Sequence, residues 1–181
     1  NTAARALFRA GHREYAGQPL AELIGSGAAG ERAALISELV AAKRAGSIDG
    51  MVRGRFLRMT FRPLGRRSQS AQVLIVCRPA TFYAGPARDA GVRRALTDDL
   101  GVLGSLTAKE LEILMLMGQG LSTPRIAERL SRSIKTIEWH RVSLGEKLGA
   151  VNRVELARIA IDAGLVMSAS ADPPVAAPTR A

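Results

Sequence analysis

A chain of 181 residues that is 47% apolar has room for one ordinary domain or two small ones and enough apolar side chains to bury a core. One cysteine, Cys77, and two histidines, His12 and His140, exclude an internal disulfide framework and a cysteine-built zinc site; with no apolar run of about 18 residues and no basic-then-apolar leader, a soluble cytoplasmic protein without metal or cofactor is expected. The formal charge of +10 suggests an anionic partner, nucleic acid first, yet residues 1–85 hold thirteen Lys and Arg against five Asp and Glu, while residues 105–165 hold nine against seven.

The chain opens on Asn1 rather than methionine, which reads as a fragment or a processed product. Ala3 to Ala10 and Pro19 to Ile24 are predicted as short helices, and Glu31 to Ala45 as a longer one with Leu35, Ile36, Leu39 and Val40 as its apolar stripe. The period then changes. Across Arg55 to Leu64, Phe56, Arg58, Thr60 and Arg62 alternate with Leu57, Met59 and Phe61, the pattern of a strand with one face on a core and one in water. Gln72 to Arg78 is apolar throughout and predicts a second strand, central in its sheet, with GRRSQS as the hairpin loop between the two. Residues 1–85 are therefore expected to form an α+β module. The row Arg53, Arg55, Arg58, Arg62, Arg66 and Arg67 reads first as a solvated sheet face and second as an anion or nucleic-acid surface. Cys77, on an apolar strand, reads as a small core residue rather than a redox switch. From Ala84 to Gly104 apolar content falls and Gly, Pro and Asp rise, so residues 86–104 are predicted as a linker, with a short helix at Arg88 to Leu100 as one form of it.

The chemistry-bearing pattern comes next. Leu106 to Leu111 reads as a complete helix start: Thr107 is the N-cap, Glu110 closes a capping box, and Leu106 with Leu111 forms a hydrophobic staple. This helix is expected to run to about Met117 and to be stopped by Gly118 and Gly120. Thr123 as N-cap and Pro124 at the first helical position announce another, with Ile126, Ala127 and Leu130 on its core face. Only Ser131 to Ser133 separate it from a helix over Ile134 to Leu148, the short turn that a helix-turn-helix needs. Ile134, Ile137, Leu144 and Leu148 form the packing stripe of that helix and leave Lys135, Trp139, Val142 and Glu146 opposite, flanked by Glu138 and Ser143. A tryptophan and a valine aimed at solvent fit a DNA major groove, where apolar groups meet thymine methyls and a carboxylate such as Glu138 accepts from cytosine N4. Asn152 is predicted to cap a last helix, with Glu155 three residues on, a Val151/Leu156 staple, an apolar stripe of Leu156, Ile159 and Ala160, and Gly164 at its end. Residues 166–181 are small and proline-rich and are expected to be a disordered tail.

The stretch LTAKELEILMLMGQGLSTPRIAERLSRSIKTIEWHRVSLGEKLGAVNRVELA resembles the LuxR/FixJ-type signature almost end to end: LT-x-x-E, a Gly-x-Ser turn, IAE-x-L, S-x-K-T-[VI]-E-x-H-R, then KLG and NR-x-EL. The resemblance implies an all-α four-helix helix-turn-helix domain over residues 105–165, with the helix from Ile134 as recognition helix. It places Glu138, Trp139 and Val142 at base edges and Lys135, Thr136, Arg141 and Lys147 near phosphates. It makes the last helix a dimer contact, so that Leu156, Ile159 and Ala160 are shared between a symmetric seam and the core. His140 matches a family position and reads as structural. Two positions depart from the pattern: Arg132 stands where a small apolar residue is usual, and Gly145 lies inside the recognition helix at a cost near ~1 kcal/mol relative to alanine.

Residues 1 to about 80 resemble a PAS domain in N-x-AA near the start, the G-x-PLAELI helix and the closing VLIVCRP strand. That implies a sheet whose first two strands precede Asn1, leaving an unfilled edge. No ligand of this module is indicated: the GRNCRFLQ-type flavin run is missing, and His12 lies in an early loop, a poor place for a haem ligand. A receiver domain is disfavoured, because no acidic pair precedes a strand ending in an aspartate. The expected protein is thus a bacterial, non-enzymatic transcription regulator with a PAS-like sensor or dimerisation module, binding double-stranded DNA at an inverted repeat as a homodimer, with RNA polymerase a candidate further partner and the membrane none. A sigma-like subunit would need a separate aromatic-rich polymerase-binding region, and only 4% of residues are aromatic. A signalling enzyme would need a phosphate-cradling glycine loop or a catalytic carboxylate pair, and a pure protein-interaction module would show no sequence preference on DNA.

Overall fold

The computed structural model describes residues 2–8, 16–67, 70–82 and 91–166. In the N-terminal half, α1 (Thr2–Leu7), α2 (Leu20–Ile24) and α3 (Ser26–Ala41) pack on one face of a sheet made of β1 (Gly46–Val52), β2 (Arg55–Arg67), β3 (Ser70–Pro79) and β4 (Val92–Arg94). The strand order is β3-β2-β1-β4, antiparallel except for the parallel β1–β4 pair. Leu57, Met59 and Phe61 of β2 point into the helical layer and meet Ile24, Leu35, Leu39, Ile48 and Val52 there, all nearly fully buried. The other face of β2 carries the half-buried Arg58 and Thr60 and the exposed Arg62, as alternation requires. α3 buries Ala28, Arg32, Leu35 and Leu39, so it begins before the predicted start, and the expected stripe members Ile36 and Val40 are only half-buried.

Several elements differ from expectation. β1 has no strand signal, because glycines at 46 and 50 interrupt it, yet a Cβ on Gly50 would lie 2.5 Å from the Ala95 Cβ and 2.6 Å from Arg32 Nη2. Arg53 and Gly54, with φ of 49° and 73°, form the two-residue positive-φ turn into β2. β3 is an edge strand rather than a central one, and its outward Leu74 and Val76 are exposed; its apolar run marks strand type without marking sheet position. Within the predicted linker, residues 92–94 join the sheet as β4 and Gly101–Ser105 form a 3₁₀ turn, so no helix spans residues 92–100. His12 and residues 167–181 lie outside the described residues, but Val166, assigned to the tail, is buried.

The C-terminal half contains α4 (Ala108–Gly118), α5 (Thr123–Arg129), α6 (Ile134–Leu148) and α7 (Arg153–Asp162). Their shared core of Ile113, Leu114, Met117, Ile126, Ile137, Leu144, Leu156 and Ala160 also takes in Leu103 from the 3₁₀ turn and Met51 and Phe56 from the sheet. Phe56 is therefore buried although its alternation points it away from the helical layer. No helix among the described residues is long and apolar enough to cross a membrane.

Three arginines of the row, Arg53, Arg55 and Arg58, are occupied by structure, while Arg62 is exposed. Arg53 donates to the Glu22 carbonyl, Arg55 to the Leu7 carbonyl, and Arg58 makes two 2.7 Å bonds to the Asp49 carboxylate, whose side chain is 1% exposed. Asp49→Ala leaves a guanidinium without its buried counter-charge and is expected to cost about 3–5 kcal/mol; pairing it with Arg58→Met should recover a large part, both read as urea midpoints.

Candidate nucleic-acid interface

The residues that set this surface start with a buried carboxylate. Thr107 caps α4 and Glu110 returns the bond, the predicted capping box, with Thr107 N–H to Oε2 at 2.8 Å. Glu110 does more than cap. Its other oxygen accepts from Ser143 Oγ at 2.7 Å, and Lys147 Nζ donates to both oxygens at 2.9 and 2.7 Å. Ser143 and Lys147 stand one turn apart on α6, so one carboxylate, 3% exposed, fixes the start of α4 against the second half of α6. The Lys147 ammonium, followed by the Thr107 N–H, pulls the Glu110 pKa down to about 2 despite burial. Sequence reasoning saw Glu110 only as a cap and Lys147 only as a phosphate contact; their spacing of 37 residues hides the pair.

α6 begins at Ser133, whose Oγ accepts from Thr136 N–H at 3.0 Å. The preceding turn passes through Ser131 at φ 51° and closes with Arg132 N–H on the Ala127 carbonyl at 2.9 Å. Ile137 and Leu144 are buried and Leu148 half-buried, as predicted, but Ile134 is 53% exposed: a side chain at the first helical position leans back over the turn rather than onto the core. The opposite face carries Lys135, Trp139, Val142 and Glu146 in the open, with Trp139 66% and Val142 57% exposed. Beside them Glu138 and Arg141 form a surface ion pair at 2.6 Å, and the half-buried His140 ring meets Trp139 edge-on at 5.0 Å between centroids. Arg125, Arg129 and Arg132 are also exposed on α5 and the turn, cations that the sequence reading left unassigned.

α7 is capped by Asn152 Oδ1 on Glu155 N–H at 2.9 Å, while Glu155 returns to Val151 N–H. The expected Val151/Leu156 staple does not form, since Val151 is 86% exposed. Leu156 and Ala160 belong wholly to the core and Ile159 packs against it, so their packing partners are α4 and α6; Val154 and Ile161 are the apolar side chains that α7 leaves open.

Two predictions follow from this packing. A depressed folded-state pKa stabilises above the unfolded value and loses that contribution as pH falls through the folded one. The stability gap between wild type and Glu110→Gln should therefore hold above about pH 5 and close as pH falls from about 4.5 toward about 2, read as urea midpoints against pH. Gly145, in turn, is no flaw in α6: a Cβ there would lie 2.8 Å from the Ala150 carbonyl oxygen, where the chain turns back into α7. Gly145→Ala should lower stability by about 1–3 kcal/mol, its helix-propensity gain notwithstanding, in thermal melts.

Residues 104–160 match the model of the bacterial regulatory proteins of the luxR family. The chain is 44% identical over 57 residues to the transcriptional regulatory protein UhpA of Escherichia coli (strain K12), covering 32% of this chain and 29% of that protein. It is 41% identical over 56 residues to the oxygen regulatory protein NreC of Staphylococcus aureus (strain JH9), covering 31% and 26%. The similarity thus spans less than a third of either relative. Among solved structures, a Vibrio cholerae VqmA dimer is 22% identical, with 92% of this chain and 78% of that chain covered and a TM-score of 0.35; a phage VqmA–DPO complex is 21% identical, with 87% and 73% covered and a TM-score of 0.40. The capped helices, the short turn and the family match agree over the same residues: 104–160 are a helix-turn-helix domain of the bacterial luxR family.

Proposed function

We propose that the protein is a sequence-specific DNA-binding transcription regulator that seats α6 in the major groove, binds an inverted repeat as a homodimer, and takes its input through the N-terminal α/β module. The observation that carries this reading is the exposure of Trp139 and Val142 side by side on α6 of a luxR-family domain. Two apolar side chains three residues apart, set among polar ones, match thymine methyl groups, and Glu138 supplies an acceptor for cytosine N4. Lys135, Thr136 and Arg141 serve the phosphates, Arg141 after leaving its exposed pair with Glu138. Lys147 acts through Glu110 instead, positioning α6. The dimer seam on α7 uses Val154 and Ile161, seven residues apart on one helix face, because Leu156 and Ala160 are already committed to the core. A two-fold seam places the half-sites about one helical turn, ~34 Å, apart.

The test is selection of duplexes from a random library by the full chain. Enrichment of an inverted repeat is expected, and enrichment of no sequence defeats the reading. On the selected duplex, Trp139→Ala should lose about tenfold or more in affinity while binding a scrambled duplex as before. Lys135→Gln should lower the salt slope of log K by about one, whereas Lys147→Gln should leave the slope unchanged; an equal change in both would return Lys147 to the phosphates.

A further inference from the structure

The two halves of the chain are joined through contacts at three places, two of them main chain against main chain and the third side chain against main chain. At the exit of α7, Phe56 N–H donates to the Ala163 carbonyl at 2.8 Å and Phe82 N–H to the Gly164 carbonyl at 2.6 Å. Gly164, at φ 73°, lies so close that a Cβ would press on the Ala80 carbonyl oxygen and stand 3.1 Å from the Phe56 Cβ. At the β1–β2 turn, Gly54 N–H donates to the Asp99 carbonyl at 2.9 Å, a Cβ on Gly54 would lie 2.9 Å from the Leu100 carbonyl oxygen, and one on Gly101 would lie 2.9 Å from the Arg53 carbonyl carbon. In the second turn of α3, the Glu31 carboxylate accepts from Leu96 and Thr97 N–H at 2.9 and 3.0 Å, and the fully buried Arg32 donates to the Thr97 carbonyl at 2.8 Å. Between these points Arg94 lies over the Phe56 and Phe82 rings, 4.6 and 5.2 Å from their centroids, and pairs with Asp98, which itself accepts from Met51 N–H at 2.6 Å.

Main chain against main chain leaves little play at the first two places, and the Glu31 and Arg32 side chains tie α3 of the N-terminal module, through residues 94–101 and Leu103, to the core beneath α6. With this joint closed, Trp139 and Val142 remain open, as do Val154 and Ile161 on α7, so neither groove reading nor pairing through α7 requires it to open. We infer that the closed joint is the DNA-competent state and that the N-terminal module is a positioning element of the reader: it holds the orientation of α7, and so of the paired α6 helices, before DNA arrives. This rests on the dimeric DNA-binding reading above. Binding to two half-sites at once draws on that fixed orientation, and a loosened joint must be ordered at the moment of binding. Binding to one half-site does not.

The experiment uses the full chain with Gly164→Ala, which disrupts the α7 exit, and Glu31→Gln, which weakens the clamp on residues 96–97 far from α6. Hydrogen exchange at Gly54, Phe56 and Phe82 reports the joint, and exchange along α6 reports the fold. Probes are the duplex selected by the wild-type chain and the same duplex with one half-site scrambled. Both variants should speed exchange at joint amides, lose about tenfold in affinity for the two-site duplex, Glu31→Gln the less, and stay within about twofold on the one-site duplex. Unchanged or tighter two-site binding with the joint amides exposed would overturn the inference, as would wild-type joint amides that exchange as fast as open loops. If Gly164→Ala also exposes α6, Glu31→Gln decides. Failure of the wild-type chain to enrich any sequence would instead remove the reading on which this rests.

Discussion

The arrangement of the C-terminal domain depends on the carboxylate of Glu110. It is removed from water, so its charge must be met by fixed donors, and those come from two helices distant in sequence: the Thr107 start of α4 and the Ser143–Lys147 turn of α6. A buried ion leaves less freedom than an apolar contact, because a shift of α6 along α4 would part Lys147 from its counter-charge. The face bearing Trp139 and Val142 inherits its orientation from that constraint. Nothing among the described residues holds α6 from its outward side; it is held from behind by charge, from below by Ile137 and Leu144, and at its end by the chain turning over Gly145.

Glycine performs the corresponding task for main chain. Gly50 lets β1 pass Ala95 and Arg32, Gly118 lets α4 lie on Ala160 with only 2.7 Å to a would-be Cβ, and Gly164 brings the exit of α7 against the sheet. Each loses more chain entropy on folding than another residue would, and each permits an approach that a Cβ would block. The same economy explains why Phe56 faces away from the helical layer of its own sheet and is still buried: the second core begins there.

Local signals made much of this legible. The Thr107–Glu110 box, the bounds of α6, the Asn152 cap and the alternation of β2 all express interactions within a few residues, and the structure has them as read. What was hidden depends on partners far along the chain. β1 carries glycines that only the packing of Ala95 explains, and residues 92–94 look like linker until Asp49 offers them an edge. The stripe of α7 is legible from its period, since Leu156, Ile159 and Ala160 do meet the core, whereas the Val151/Leu156 staple is absent because Val151 stands in the open. The arginine row looked like a surface because its partners, Asp49 and two backbone carbonyls, are nine to forty-eight residues away.

That consumption of arginines has a kinetic consequence. The chain keeps its net charge of +10, so its field draws it toward any polyanion from any direction. Yet Arg53, Arg55 and Arg58 are tied to carbonyls and a carboxylate, and residues 105–165 carry nine cations against seven anions, so short-range attraction rests on a few exposed cations such as Arg125, Arg129, Arg132 and Lys135. Long-range attraction with only a small short-range grip favours frequent encounters and brief stays on an arbitrary polyanion. On the proposed reading, residence then falls to the exposed side chains of α6 and the few cations beside them, and a search over many wrong sites is little slowed by charge.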